Sequence, residues 1–124
     1  MPHLLRLLIW LKFPKVGNNF EWMIVEFEDE YLLDLYKGKP KGKPKYQATV
    51  VKQYRKTVRV LQMVNGIQGL RSFRSLNFEA LSGNLQGLFS VRVNKQYRVL
   101  FRIKDDQLQI EKVISITELS KHYE

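Results

Sequence analysis

Apolar and polar residues alternate along Met23-Ile24-Val25-Glu26-Phe27-Glu28, which predicts a first strand with two distinct faces. Asp29 can then cap a short helix that carries Tyr31, Leu32, Leu35 and Tyr36 at helical spacing and stops at Gly38. A longer helix opens near Ala48 or Thr49. Val51, Tyr54, Val58 and Leu61 form its apolar face, and Lys52, Arg55, Lys56 and Arg59 a basic one. From Leu70 onward the period becomes two, with strands predicted near residues 76–81, 88–93, 97–103 and 108–114, and with Gly83, Asn84 and Gly87 punctuating the first pair. Strand, helix, helix and then a run of strands is an α+β pattern. It implies an antiparallel sheet of about four to five strands with two N-terminal helices packed on one face.

Residues 1–22 differ from the rest. Leu4, Leu5, Leu7, Leu8, Ile9, Trp10 and Leu11 form an apolar run broken by Arg6 and followed by Pro14, Gly17, Asn18 and Asn19. The run is far too short to span a bilayer, and it lacks the basic start and small-residue cleavage site of a signal peptide. Two expectations stand: an N-terminal extension preceding a true start at Met23, or an amphipathic arm that covers the sheet or a partner. Residues 23–124 form the single predicted domain.

The strand pair at 88–93 and 97–103 fixes a register. Phe89, Val91 and Val93 share one face and Ser90 and Arg92 the other; Tyr97, Val99, Phe101 and Ile103 oppose Arg98, Leu100 and Arg102. A two-residue loop would pair Val93 with Arg98 and mix the faces. A three-residue loop, Asn94-Lys95-Gln96, pairs Val93 with Tyr97 and Arg92 with Arg98. Two arginines then sit directly opposite each other on the polar face, at a cost of up to about 1 kcal/mol unless an anion neutralises them. A phosphate suits the position, because guanidinium groups offer paired donors and stay charged. Arg71, Arg74 and Arg102 are second-rank candidates for the same anion.

Composition sharpens this picture. The 124 residues carry a net charge of +9 and no cysteine, so disulfides and thiolate metal sites are excluded. His3 and His122 are too few for a histidine cluster. Between Asp34 and Asp105 the only carboxylate is Glu79, which leaves it alone in a positive field and points to a polyanionic partner. Lys37, Lys39, Lys41, Lys43 and Lys45 alternate with Gly and Pro in one loop, where Pro40 and Pro44 disfavour a helix. Lysines on such a loop bind phosphates with little sequence preference.

The segment from Leu81 to Phe101 resembles the HigB-type toxins of the RelE/ParE superfamily, also called plasmid maintenance killer proteins. The shared pattern is Leu81, Gly83, Gly87, Ser90, Val91, Arg92, Asn94, Gln96, Tyr97, Arg98 and Phe101, and a looser similarity runs from Met23 to the C-terminus. The resemblance implies a RelE-like fold, a cytoplasmic toxin, a helix-turn-helix antitoxin of HigA type as partner, and cleavage of mRNA on the ribosome with no metal or cofactor. In such a reaction the substrate's 2′-hydroxyl attacks the adjacent phosphate, and the protein supplies base, acid and charge stabilisation. By the resemblance Arg92 and Arg98 hold the phosphate. His122 and Tyr123 match the family's C-terminal catalytic and stacking residues, although some members end Asp-Tyr-His where this chain reads His-Tyr-Glu. Glu79 stands where some members carry a histidine, and is either the general base or an ion-pair partner of the arginines. Two rivals remain at this stage: inhibition of DNA gyrase, as in ParE-type relatives, and a non-catalytic basic RNA-binding module.

Overall fold

A computed structural model of the chain describes residues 5–7, 23–106 and 111–121. In chain order the strands are β1 (Leu5–Leu7), β2 (Met23–Phe27), β3 (Glu79–Ala80), β4 (Phe89–Arg92), β5 (Tyr97–Asp106) and β6 (Glu111–Lys121). Helices α1 (Glu30–Lys37), α2 (Ala48–Met63) and α3 (Gly66–Ser72) fall between β2 and β3. The sheet order is β1-β2-β6-β5-β4-β3.

Local chemistry accounts for the helices. The Asp29 carboxylate accepts from the Tyr31 backbone N–H at 2.8 Å and starts α1, and Gly38, at φ 79°, ends it in the left-handed conformation that glycine adopts without strain. Tyr54, Val58 and Leu61 of α2 are fully buried, as the apolar face requires. The Tyr54 hydroxyl donates to the Leu32 carbonyl at 2.8 Å, and Arg55 Nε donates to the Tyr36 carbonyl at 2.9 Å, so α2 grips both turns of α1. One core joins these helices to Val25 and Phe27 of β2, Val91 of β4, Val99 and Phe101 of β5, and Ile114, Ile116 and Leu119 of β6.

The α+β class and the helices on one face of the sheet are as expected, with several departures in detail. The sheet is mixed rather than antiparallel, because β2 runs parallel to β6, Val25 lying beside Ile114. A parallel neighbour needs a long crossover, which the whole of α1 to β5 supplies, and nothing local announces it. The strand expected at 76–81 shrinks to β3, preceded by a 3-10 turn, Arg74–Leu76, and by Asn77 at φ 46°. β6 extends to Lys121, well beyond the expected 114, and α3 is an additional helix. Leu5–Leu7 pairs antiparallel with β2, so β2 is an inner strand, and all five of its residues are buried.

A bulge interrupts β6. Leu100 pairs with Glu118 but Phe101 with Ile116, which leaves Thr117 as the extra residue, its hydroxyl donating to the Leu100 carbonyl at 3.2 Å. Before the bulge the even residues Ile114 and Ile116 enter the core; after it, Leu119 does. Ser120 is thereby placed opposite Arg98 on the other face.

Candidate functional site

The β4–β5 hairpin pairs Arg92 with Arg98, the register that the three-residue loop demands. The Val93 N–H donates to the Tyr97 carbonyl at 2.9 Å, which makes the adjoining Arg92/Arg98 pair a non-hydrogen-bonded one. In such pairs the Cα atoms approach to about 4.5 Å and the side chains are closest. Val91 and Val99 point into the core, so both arginines project from the opposite face. The loop itself is braced. Asn94 Oδ1 accepts from the backbone N–H groups of Gln96 and Tyr97, each at 2.8 Å, and Asn94 Nδ2 donates to Gln53 Oε1 of α2 at 2.8 Å.

Glu79 joins the same face from the sheet edge, since it pairs with Ser90, which alternates with Arg92 along β4. What holds so short a strand is the residue before it. The Phe78 ring stacks on Phe89, with centroids 5.5 Å apart and planes at 12°, and on Phe101 at 6.2 Å. Packing of this kind is worth about 0.5–1.5 kcal/mol per pair beyond area burial. The Glu79 carboxylate accepts from Asn77 Nδ2 at 3.3 Å and forms no ion pair with Arg92 or Arg98 among the described residues. Its acceptor capacity is therefore largely uncommitted.

Arg92, Arg98 and Glu79 line one cleft of about 130 Å³, together with Asn77, Ser90 and Lys95. Arg92 is exposed and Arg98 partly buried. Arg98 Nε is buried with no hydrogen-bond partner. A buried donor on a charged group that goes unmatched costs about 1–3 kcal/mol or more, and an anionic oxygen entering the cleft is its natural complement. The arrangement thus offers two guanidinium groups, an ammonium and a carboxylate around a space of the size of a phosphodiester.

The remaining candidates are dispersed. Lys37, at the end of α1, and Lys39, Lys41, Lys43 and Lys45, on the α1–α2 connection, are all exposed. Lys45 Nζ sits 4.4 Å from the Tyr31 ring centroid, so it is partly engaged. The loop meets the cleft end of the sheet through Tyr46, whose ring lies edge-on to Tyr97 at 5.8 Å and whose hydroxyl donates to the Leu119 carbonyl at 3.0 Å. Burial, then the neighbouring phenols of Tyr31 and Tyr97, push the Tyr46 phenol above its ordinary pKa, so it stays a neutral donor. Arg102 lies outside the cleft and approaches Glu28 at 3.5 Å, while Arg71 and Arg74 are exposed and do not line it. His122 and Tyr123 lie outside the described residues; β6 is described to Lys121, opposite Tyr97. Sequence reasoning missed Asn77 and placed Lys95 and Asn94 only as loop residues. An asparagine two residues before the lone carboxylate was the available signal for Asn77, because asparagine tolerates positive φ.

Comparison with known proteins adds a family. Residues 25–113 match the model described as the RelE-like toxin of type II toxin-antitoxin system HigB. Toxin HigB-1 of Vibrio cholerae serotype O1 is 34% identical over 83 residues, which span 67% of this chain and 86% of that protein. Among solved structures, the YoeB-YefM complex from Staphylococcus aureus superposes with a TM-score of 0.50 at 21% identity, covering 80% of this chain and 95% of that one. The last is a likeness of fold.

Proposed function

Because the chain belongs to the HigB-like toxins, the RelE-like toxins of type II toxin-antitoxin systems, and so has an antitoxin for a partner, we propose that it inhibits translation as an endoribonuclease that cuts mRNA on the ribosome without a metal. The observation that carries this reading is the facing pair Arg92 and Arg98, set beside Glu79 in one cleft with Arg98 Nε left unmatched.

In this reading the scissile phosphodiester lies between the two guanidinium groups, with Lys95 on its flank. Glu79 takes the proton from the 2′-hydroxyl, and the oxygen attacks phosphorus as the bond to the 5′-oxygen breaks. The products are a 2′,3′-cyclic phosphate and a 5′-hydroxyl, the latter completed by a proton that His122 is assigned to supply. Charge accumulates on the phosphoryl oxygens in the transition state, where fixed donors act without reorganising; losing one such donor typically costs about 10²–10³ in rate. Asn77 holds the Glu79 carboxylate through its amide, and Tyr123 is assigned to stack on an unpaired base. The exposed lysines 37, 39, 41, 43 and 45 contact ribosomal RNA, with Arg71, Arg74 and Arg102 as outlying phosphate contacts. The antitoxin is assigned to the helix-turn-helix type and the site of action to the cytoplasm.

Arg92→Ala and Glu79→Gln, induced separately in growing cells, test this directly. Wild type should halt translation and create new mRNA 5′ ends within minutes, and both variants should abolish those ends. DNA damage without new 5′ ends would reject the nuclease, and full cleavage by either variant would remove that residue from its mechanism.

A further inference from the structure

The hairpin that carries Arg92 and Arg98 is under electrostatic load. Lys95 stands at its tip between them, and among the described residues no carboxylate forms an ion pair with any of these cations. Like charges so close repel, and the repulsion acts to tilt and splay the tip. The internal bracing, Asn94 Oδ1 on the N–H groups of Gln96 and Tyr97, closes the loop without fixing its tilt against the rest of the fold. Resistance to tilting has to come from outside the hairpin.

Two contacts tie the tip to the helical side of the molecule. The rings of Tyr97 and Tyr46 meet edge-on at 5.8 Å, an apolar contact that tolerates sliding. Asn94 Nδ2 donates to Gln53 Oε1 at 2.8 Å, and this bond is directional. Its foundation is rigid. Gln53 lies on α2 beside Tyr54, which is fully buried with its hydroxyl on the Leu32 carbonyl, and the Thr57 hydroxyl donates to the Gln53 carbonyl at 2.9 Å. Gln53 itself is exposed and does not line the cleft, so burial does not explain why a long, rotamer-rich side chain is held in one direction. Asn94, by contrast, lines the cleft. One amide therefore serves two purposes: its oxygen closes the loop and its nitrogen tethers that loop to α2.

We propose that Gln53 is a positioning residue: through Asn94 it sets the tilt of the hairpin tip, and with it the angle at which Arg92, Lys95 and Arg98 meet a phosphate. The kinetic consequence rests on the nuclease reading, whereas the geometric one does not. Gln53 touches no substrate. Fixed donors stabilise a transition state only where they have been placed in advance, and a misplacement of about 1 Å can cost about 10² in rate even when binding holds.

Gln53→Met, which keeps the length of the side chain and removes the acceptor, tests this beside Gln53→Glu, which keeps an acceptor oxygen. In single-turnover cleavage on ribosomes, Gln53→Met should lower the maximal rate by about 10- to 100-fold, with the half-saturating ribosome concentration within about twofold of wild type. Gln53→Glu should hold the rate to within about threefold of wild type. Asn94→Asp keeps both loop bonds and loses the amide donor, so adding Gln53→Met to it should slow cleavage no further. Two readouts need no RNA. The Arg98 Nε–H signal in NMR spectra of the full chain should shift or broaden in Gln53→Met and match wild type in Gln53→Glu. The Kd for inorganic phosphate should rise by about tenfold in Gln53→Met alone. Tm should stay within about 3 °C in both variants, as for an exposed hydrogen bond. A wild-type rate in Gln53→Met, equal losses in the two Gln53 variants, or additive losses with Asn94→Asp would each overturn the assignment. So would an Arg98 signal and a phosphate Kd that Gln53→Met leaves unmoved, or a fall in Tm that tracks the loss of rate and marks a purely structural contact. A wild type that leaves mRNA intact on ribosomes overturns the nuclease reading instead, and the NMR and phosphate measurements then decide the role of Gln53 by themselves.

Discussion

Replacing Arg98 by methionine should make this protein more stable while removing its activity. Arg98 sits opposite Arg92, and its Nε is buried without an acceptor. The unmatched donor costs about 1–3 kcal/mol and the facing like charge up to about 1 kcal/mol. Methionine keeps most of the aliphatic stem in place and removes both penalties, at a packing cost of under about 1.5 kcal/mol. A net gain of about 1–2 kcal/mol corresponds to a rise in Tm of about 3–8 °C for a domain of this length. Inorganic phosphate supplies the other half of the test. Bound between the arginines at ten times its Kd, it should stabilise the wild type by about 1.4 kcal/mol and leave Arg98→Met nearly unmoved. Thermal unfolding of both proteins, with and without phosphate and at constant ionic strength, measures all four quantities. A lower Tm for Arg98→Met in phosphate-free buffer, or an equal phosphate response in the two proteins, would refute the idea that the cleft is held ready for an anion at the expense of stability.

Glu79→Gln should lower the single-turnover cleavage rate on ribosomes by about 10²–10⁴, with Tm almost unchanged because the side chain is exposed; a rate within twofold of wild type would remove Glu79 from the mechanism. Burial raises the pKa of the Tyr54 phenol, as it does that of Tyr46. Their contribution to stability is therefore intact below about pH 10 and is lost as the pH climbs beyond it. Tyr54→Phe should accordingly cost about 1 kcal/mol at neutral pH, from the lost bond to the Leu32 carbonyl, yet unfold less steeply in alkali when denaturation is followed from pH 8 to 12. Gly38→Ala should cost about 1–2 kcal/mol, because φ 79° is the difficulty and the new Cβ would lie at an ordinary 3.5 Å from the Arg55 guanidinium carbon; urea melts showing no loss would contradict that.

Features written in local signals were readable from the sequence. Asp29 and Gly38 bracket α1 because capping is settled within a few residues, and the hairpin register followed from requiring Val93 and Tyr97 to share a face. The parallel pairing of β2 with β6 was not readable, since it joins segments some ninety positions apart through no shared local pattern. The two-residue β3 was hidden for a different reason. Phe78 gives it a stacking anchor, but Asn77 and the 3-10 turn before it break the alternation that a sequence reader counts. The arginine pair could be foreseen because its faces were fixed by Val91 and Val99, whereas the unmatched state of Arg98 Nε depends on three-dimensional surroundings.

Thr117 has an effect out of proportion to its size. As the one inserted position in the last strand, it resets the odd-even code, so that everything downstream is read out with inverted parity. Straightening the strand with Thr117 retained would turn Leu119 toward solvent and Ser120 inward, whereas excising Thr117 should keep Leu119 beside Val99 and Ser120 beside Arg98. The facing of Leu119 and Ser120 is thus governed by a single-residue phase shift, separable from the framework that carries it.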